Sequence, residues 1–117
     1  MPMAILLLVT AAIPDTRYAR TADGVYLAYR TIGDAQIDMI AQLDWMGNVD
    51  VLFDTEPHTV SFVKAFAAYA RLITFDRRGT GLSSRNVPPP NLETGVSDCR
   101  TVLDELGIEH PVLFGFQ

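Results

Sequence analysis

The sequence predicts an α/β fold, an N-terminal antiparallel hairpin followed by a parallel βαβαβ run. Three observations carry this. A turn at Ala22-Asp23-Gly24 is flanked by alternating residues. Three short apolar runs follow, at Ile37–Leu43, Leu72–Phe75 and Val112–Phe114. Two stretches with helical spacing of apolar residues separate those runs. Strands that alternate with helices build parallel βαβ units, whose crossovers are right-handed, so an open sheet with the hairpin at its edge is expected.

The elements follow in order. Tyr18 to Arg20 and Val25 to Thr31 flank the Asp23-Gly24 turn, and the second segment sets Val25, Leu27 and Tyr29 against Tyr26, Ala28 and Arg30. Alternation around an Asp-Gly turn is a hairpin signal. Gly33-Asp34 supplies another turn. In Ile37–Leu43, Met39, Ile40 and Ala41 stand in a row, which suits a strand buried on both faces. A polar loop is expected from Asp44 to Pro57. His58 to Ala70 then places Val60, Val63, Phe66, Ala67 and Ala70 at helical spacing with no Gly or Pro between them. Leu72–Phe75 runs into the glycine-bearing loop Asp76 to Ser84, and Pro88-Pro89-Pro90 keeps the next stretch extended. Asn91 is placed to cap a helix reaching about Leu106, with an apolar stripe of Leu92, Val96, Cys99, Val102, Leu103 and Leu106. Gly107 suits its C-terminal cap, and Pro111 precedes the last strand.

Composition narrows the functions. Of 117 residues, 49% are hydrophobic and 20% charged, as in a folded globular chain. Fourteen acidic against 9 basic residues leave a net charge of -5, which opposes nucleic-acid binding. One cysteine allows no intrachain disulfide, and its apolar helical neighbours make Cys99 a small core residue rather than an activated thiol. One cysteine and two histidines are too few to suggest a zinc site, so no metal or cofactor is expected. Residues 1–15 form an unassigned apolar extension. Its run from Met3 to Ile13 is shorter than the ~20 residues a membrane helix needs. Its length fits the core of a signal peptide, but no basic residue precedes Arg17. A cytoplasmic location without a membrane span is therefore expected, with secretion as the competing reading. Residues 16–117 are expected to form one domain.

In open α/β sheets, chemistry sits beyond the carboxyl ends of the strands. Three stretches qualify: Leu43 to Gly47, Asp76 to Ser84, and Gly115 to Gln117. Gly79-Thr80-Gly81 after a strand resembles the start of a dinucleotide fingerprint. However, the third glycine position holds Ser84, and the prolines nearby oppose the helix that would hold a pyrophosphate. No Gly-Lys-Ser/Thr follows, which excludes a Walker loop.

A family pattern fits better. Asp76-Arg77-Arg78-Gly79-Thr80-Gly81-Leu82-Ser83 resembles the Asp-x-Arg-Gly-x-Gly-x-Ser loop that follows the fourth strand of α/β-hydrolases. Asp76, Arg78, Gly79, Gly81 and Ser83 carry the match. Tyr18 to Asp34 is similar to the opening hairpin of that family, and Leu106-Gly107 through Gly115 to the run into its fifth strand. The resemblance spans about Thr16 to Phe116 and implies an incomplete α/β-hydrolase-like sheet. In the family, the serine of a Gly-x-Ser-x-Gly elbow follows the fifth strand, and the acid and histidine come later. Gly115 and Phe116 match the approach to the elbow, and its serine position holds Gln117, whose amide is no acyl-transfer nucleophile. The resemblance also puts an oxyanion-hole backbone N–H at about Trp45, beside Asp44, whose charge would oppose a developing oxyanion. His58 opens a helix and His110 precedes Pro111 at the opposite end of a strand, so neither is placed as a triad histidine. Ser83 is expected to bond local backbone.

The expectation is a truncated α/β-hydrolase homologue, inactive on its own. The parent family acts on ester-like or related small molecules through a Ser-His-Asp triad. Two other readings stand beside it: one piece of a split hydrolase completed by another chain, and a non-enzymatic sensing or interaction module. Self-association or pairing with the missing C-terminal half is expected of the unpaired last strand.

Overall fold

The computed structural model describes residues 16–41 and 57–114. Its elements are β1 (Arg17–Arg20), β2 (Tyr26–Ile32), β3 (Asp38–Ala41), α1 (Pro57–Ala67), β4 (Arg71–Phe75), α2 (Leu92–Glu105) and β5 (Val112–Phe114). The loop expected from Asp44 onward, the extension at 1–15 and the stretch Gly115 to Gln117 lie outside the described residues.

The strands form one mixed sheet in the order β1-β2-β4-β3-β5. The hairpin pairs antiparallel with Ala19 opposite Leu27, and β2 pairs antiparallel with β4. β3 runs parallel to both neighbours, with Ile40 opposite Ile73 on one side and Leu113 on the other. From β3 the chain steps toward the hairpin to reach β4, then steps back past β3 to reach β5. Two right-handed crossovers made in opposite directions must leave their helices on opposite faces. The packing shows this. Val63 and Phe66 of α1 pack with Leu72, Met39, Ala41 and Phe114. Val102 and Leu103 of α2 pack with Ile73, Phe75, Ile40 and Leu27. Successive residues of β4 thus serve different cores, because strand side chains alternate in direction.

Three details depart from the sequence reading. β2 does not alternate between wet and dry: Leu27, Ala28, Tyr29 and Arg30 are all buried. α2 covers the face that carries Leu27 and Tyr29, and on the other face Arg30 Nε donates to Thr16 Oγ1 at 2.8 Å. The stripe of α2 is shorter than expected. Leu92 is 84% exposed and Val96 is exposed too, while Asp98 is buried in the same helix. Finally, α1 ends at Ala67 rather than Ala70. Ala68 to Ala70 still bond back to Lys64 and Phe66 before β4 begins.

α2 is closed at both ends as its sequence predicts. The Asn91 side chain accepts from the Thr94 amide at 2.8 Å. At the other end Gly107 has φ +69, its amide donates to Asp104 O, and the Ile108 amide donates to Leu103 O. That is a Schellman closure, and it turns Ile108 back into the core beside Leu103.

Candidate functional site: the loop beyond β4

β3 and β4 are adjacent and parallel, and their following connections leave toward opposite faces. Ligand crevices of open α/β sheets lie at the carboxyl ends of such strands. Trp45, beyond β3, and Gly115, Phe116 and Gln117, beyond β5, lie outside the described residues. The stretch beyond β4, Asp76 to Ser84, is described in full.

This loop completes the sheet where β4 ends. The ladder of β4 reaches only to Phe75, opposite Tyr29. The earlier residues of β2 are then met by the loop. The Asp76 amide donates to Ala28 O at 2.9 Å, and the Ala28 amide donates to Ser83 Oγ at 2.9 Å. The Ser84 amide donates to Tyr26 O, and the Tyr26 amide to Ser84 Oγ, each at 2.8 Å. Two serines therefore replace a strand. Ser83 is buried, and its hydroxyl also donates to Asp76 O at 2.6 Å.

Asp76 sits at the centre of the loop, buried, with Oδ2 accepting the Leu82 amide at 2.9 Å. Gly81, at φ +52, lies against that carboxylate: a Cβ placed there would sit 2.3 Å from Oδ2. Gly79 also has positive φ, +80, but a Cβ there would come no closer than 3.5 Å to another atom, Val87 O. Gly79 is thus required for conformation alone, and Gly81 for conformation and space.

Arg78 ties the loop to two distant elements. Its Nε and Nη2 donate to Oδ2 and Oδ1 of Asp98 on α2, at 2.8 and 2.7 Å. Its Nη1 donates to Asp23 Oδ2 in the hairpin turn at 2.9 Å. Thr21 completes the turn. Its hydroxyl donates to Asp23 and accepts the Val25 amide. The Asp98 side chain is 3% exposed and that of Asp23 is 61% exposed, so one arm of this bridge is dry and the other wet. The bond from the Arg78 guanidinium, helped by that from Thr21, lowers the Asp23 carboxyl to about 2. The two carboxylates in turn push the guanidinium pKa further up, Asp98 most. The sequence reading placed Arg78 in the motif but missed Asp98 and Asp23 as its partners. Asp98 was legible only as an acidic residue one position before Cys99 on an otherwise apolar helix face.

The loop is poorly suited to phosphate. The amides of Gly79, Thr80, Leu82 and Ser83 are all spent on the loop itself. A carboxylate fills its centre, and its buried arginine already carries two anions. The remaining candidates are scattered. His110 lies exposed before β5, at the far end of the strand from this loop, and His58 lies in the first turn of α1. Cys99 is half-buried against the α2 core, and burial pushes its thiol up, the opposite of an activated nucleophile. Among the described residues, no three or more His, Cys, Asp or Glu side chains gather as a metal site.

Solved structures place this arrangement. A hydrolase from Pseudomonas aeruginosa superimposes with a TM-score of 0.71 at 26% identity, covering 88% of this chain and 37% of its own. The chain has the α/β-hydrolase fold. An α/β-hydrolase fold protein from Chitinophaga pinensis is similar at 27% identity and TM-score 0.66, over 91% of this chain and 36% of its own. A bromoperoxidase from Bacillus anthracis matches at 24% identity and TM-score 0.69, over 88% and 35%. The chain thus spans a little over a third of the length of these neighbours. No family model matches it, and no curated protein matches its sequence. Among the described residues, no helix is long and apolar enough to cross a membrane.

Proposed function

We infer that this chain is the sheet-forming first portion of an α/β-hydrolase and that, taken alone, it does not hydrolyse esters. The observation that carries the reading is the state of Ser83, the serine of the loop motif. It is buried, and its hydroxyl is committed on both sides, donating to Asp76 O and accepting from the Ala28 amide. A nucleophilic serine needs a base within hydrogen-bond reach, and both of these partners are backbone groups. The resemblance puts the true nucleophile at Gln117, which cannot serve. Nothing in the loop suits a cofactor, and the acidic net charge of -5 disfavours nucleic acid as a partner. A cytoplasmic location accords with the lone cysteine.

A second reading has one observation in its favour. Well over half the length of the solved hydrolases lies outside what this chain matches, and in a split enzyme a further segment supplies serine, acid and histidine. The substrate class then belongs to that segment, among the ester-like substrates of the parent family.

The test is direct. The purified chain is incubated with a fluorophosphonate probe and a short-chain p-nitrophenyl ester. The expected result is turnover at the buffer rate and no labelled peptide. Stoichiometric labelling of a single serine, with turnover lost when that serine is replaced, would overturn the inference.

A further inference from the structure

The two helices do not account for all of the burial in the sheet. On the α2 face, Leu27 and Tyr29 of β2 join Val102 and Leu103. Side chains alternate along a strand, so Ala28, Arg30 and Ile32 point to the α1 face. Thr74 shares that face with Leu72 and stands opposite Arg30 in the ladder. Ala28 is 0%, Arg30 8% and Thr74 2% exposed. Yet α1 packs on Met39, Ala41, Leu72 and Phe114, over β3, β4 and β5. Among the described residues its cluster takes in β2 only at Ile32. An arginine and an alanine buried on a sheet face need cover from above, and the flanking strands lie beside them.

We propose that the apolar run Met3–Ile13 supplies this cover, packing as a helix across β1 and β2 beside α1. The chain enters the face at the right place. Thr16, just after the run, accepts a hydrogen bond from Arg30 Nε at 2.8 Å on that side of the sheet. The run carries no charge, and Thr10 aside it is apolar. No Gly or Pro interrupts it, Pro2 stands at its start, where a helix tolerates proline, and Pro14 ends it. Its size fits as well. As an α-helix the run is about 16 Å long, and β2 from Tyr26 to Ile32 extends roughly 20 Å. Two strand spacings, about 10 Å, separate the middle of β3 and β4 from the middle of β1 and β2, which is the distance at which neighbouring helices pack. The stem of Arg30 offers methylenes to an apolar neighbour while Thr16 takes its Nε. Residues 42–56, by contrast, carry Asp44, Asp50, Asp54 and Glu56, a composition that suits water better than a sheet face. The proposal holds whether or not the chain hydrolyses anything.

Cross-linking on the full chain tests it. In a Cys99→Ser background, Tyr18→Cys puts one thiol on the covered face, at a residue that is half exposed. A second cysteine is placed in turn at each position from Ile5 to Val9, and a short bismaleimide is added. The expected result is efficient intramolecular bridging at positions on one helical face and little at those between. Leu113→Cys, exposed on the α2 face, replaces Tyr18→Cys as the control and should bridge to none of them. Aspartate introduced singly from Ile5 to Val9 should lower the urea midpoint at the positions that bridge and leave it unmoved at the others. Where an aspartate variant does not fold, the bridging pattern decides. Absence of bridging to Tyr18→Cys, or bridging to Leu113→Cys just as readily, would overturn the proposal. So would a urea midpoint indifferent to aspartate throughout, which would leave the cover to residues 42–56 and the run to a role such as export.

Discussion

Gly79 and Gly81 stand two residues apart in one loop, both with positive φ, yet alanine is expected to cost far more at the second. At Gly79, a new Cβ meets nothing closer than Val87 O at 3.5 Å, an ordinary contact. The penalty is then the left-handed conformation alone, about 1–2 kcal/mol for a residue with a Cβ. At Gly81, φ is +52 and the same conformational penalty applies. In addition the Cβ would lie 2.3 Å from Asp76 Oδ2 and 2.5 Å from Asp76 Cγ. Asp76 is buried and cannot swing into solvent, so it must leave the Leu82 amide. A buried group left without its partner costs about 1–3 kcal/mol. Gly81→Ala should therefore lose about 2–5 kcal/mol, against about 1–2 for Gly79→Ala. Urea denaturation at constant slope measures both. A thermal midpoint would fall by roughly 4–8 °C per kcal/mol in a domain of about this size. Removing the obstacle checks the cause. In an Asp76→Ala background, Gly81→Ala should cost no more than Gly79→Ala does in the unmodified chain. Equal losses at the two glycines, or an undiminished loss in the Asp76→Ala background, would refute the argument from space.

The Arg78 bridge yields two further expectations. Arg78→Ala leaves the Asp98 carboxylate buried without its counter-charge, and should cost about 3–5 kcal/mol by urea denaturation. Arg77→Ala, on an exposed side chain, should cost under ~1 kcal/mol; similar losses at the two arginines would show that the bridge does not hold the fold. The second expectation concerns acid. Asp23 has a carboxyl lowered to about 2 in the folded chain, from 3.8. Its contribution is thus present above the unfolded value and is lost as pH falls through the folded one. The stability difference between the unmodified chain and Asp23→Asn should be constant above about pH 5 and shrink progressively toward pH 2. A difference that stays flat across that window would dissociate Asp23 from the bridge.

Much of this protein was legible residue by residue, because the signals are local. An Asp-Gly turn between alternating residues makes a hairpin wherever it lies. Asn91 and Gly107 close α2 through bonds spanning a few residues, and the spacing of Asp76, Arg78, Gly79, Gly81 and Ser83 marks the loop before any fold is drawn. The sheet order was not legible. That β4 inserts between β2 and β3 depends on which edges meet in space, and nothing in either strand states it. The same holds for burial. β2 alternates in sequence but is buried on both sides from Leu27 to Arg30, which no pattern within the strand states. Asp98 reads as a polar interruption of an apolar helix face, and only Arg78, brought to it by the turn after β4, makes it part of the interior. Arg78 stood out in the sequence, but Asp98 and Asp23 did not stand out as its partners. Which of them share one buried bridge was decided by tertiary structure, because a charge is stable out of water only where the fold delivers its counter-charge.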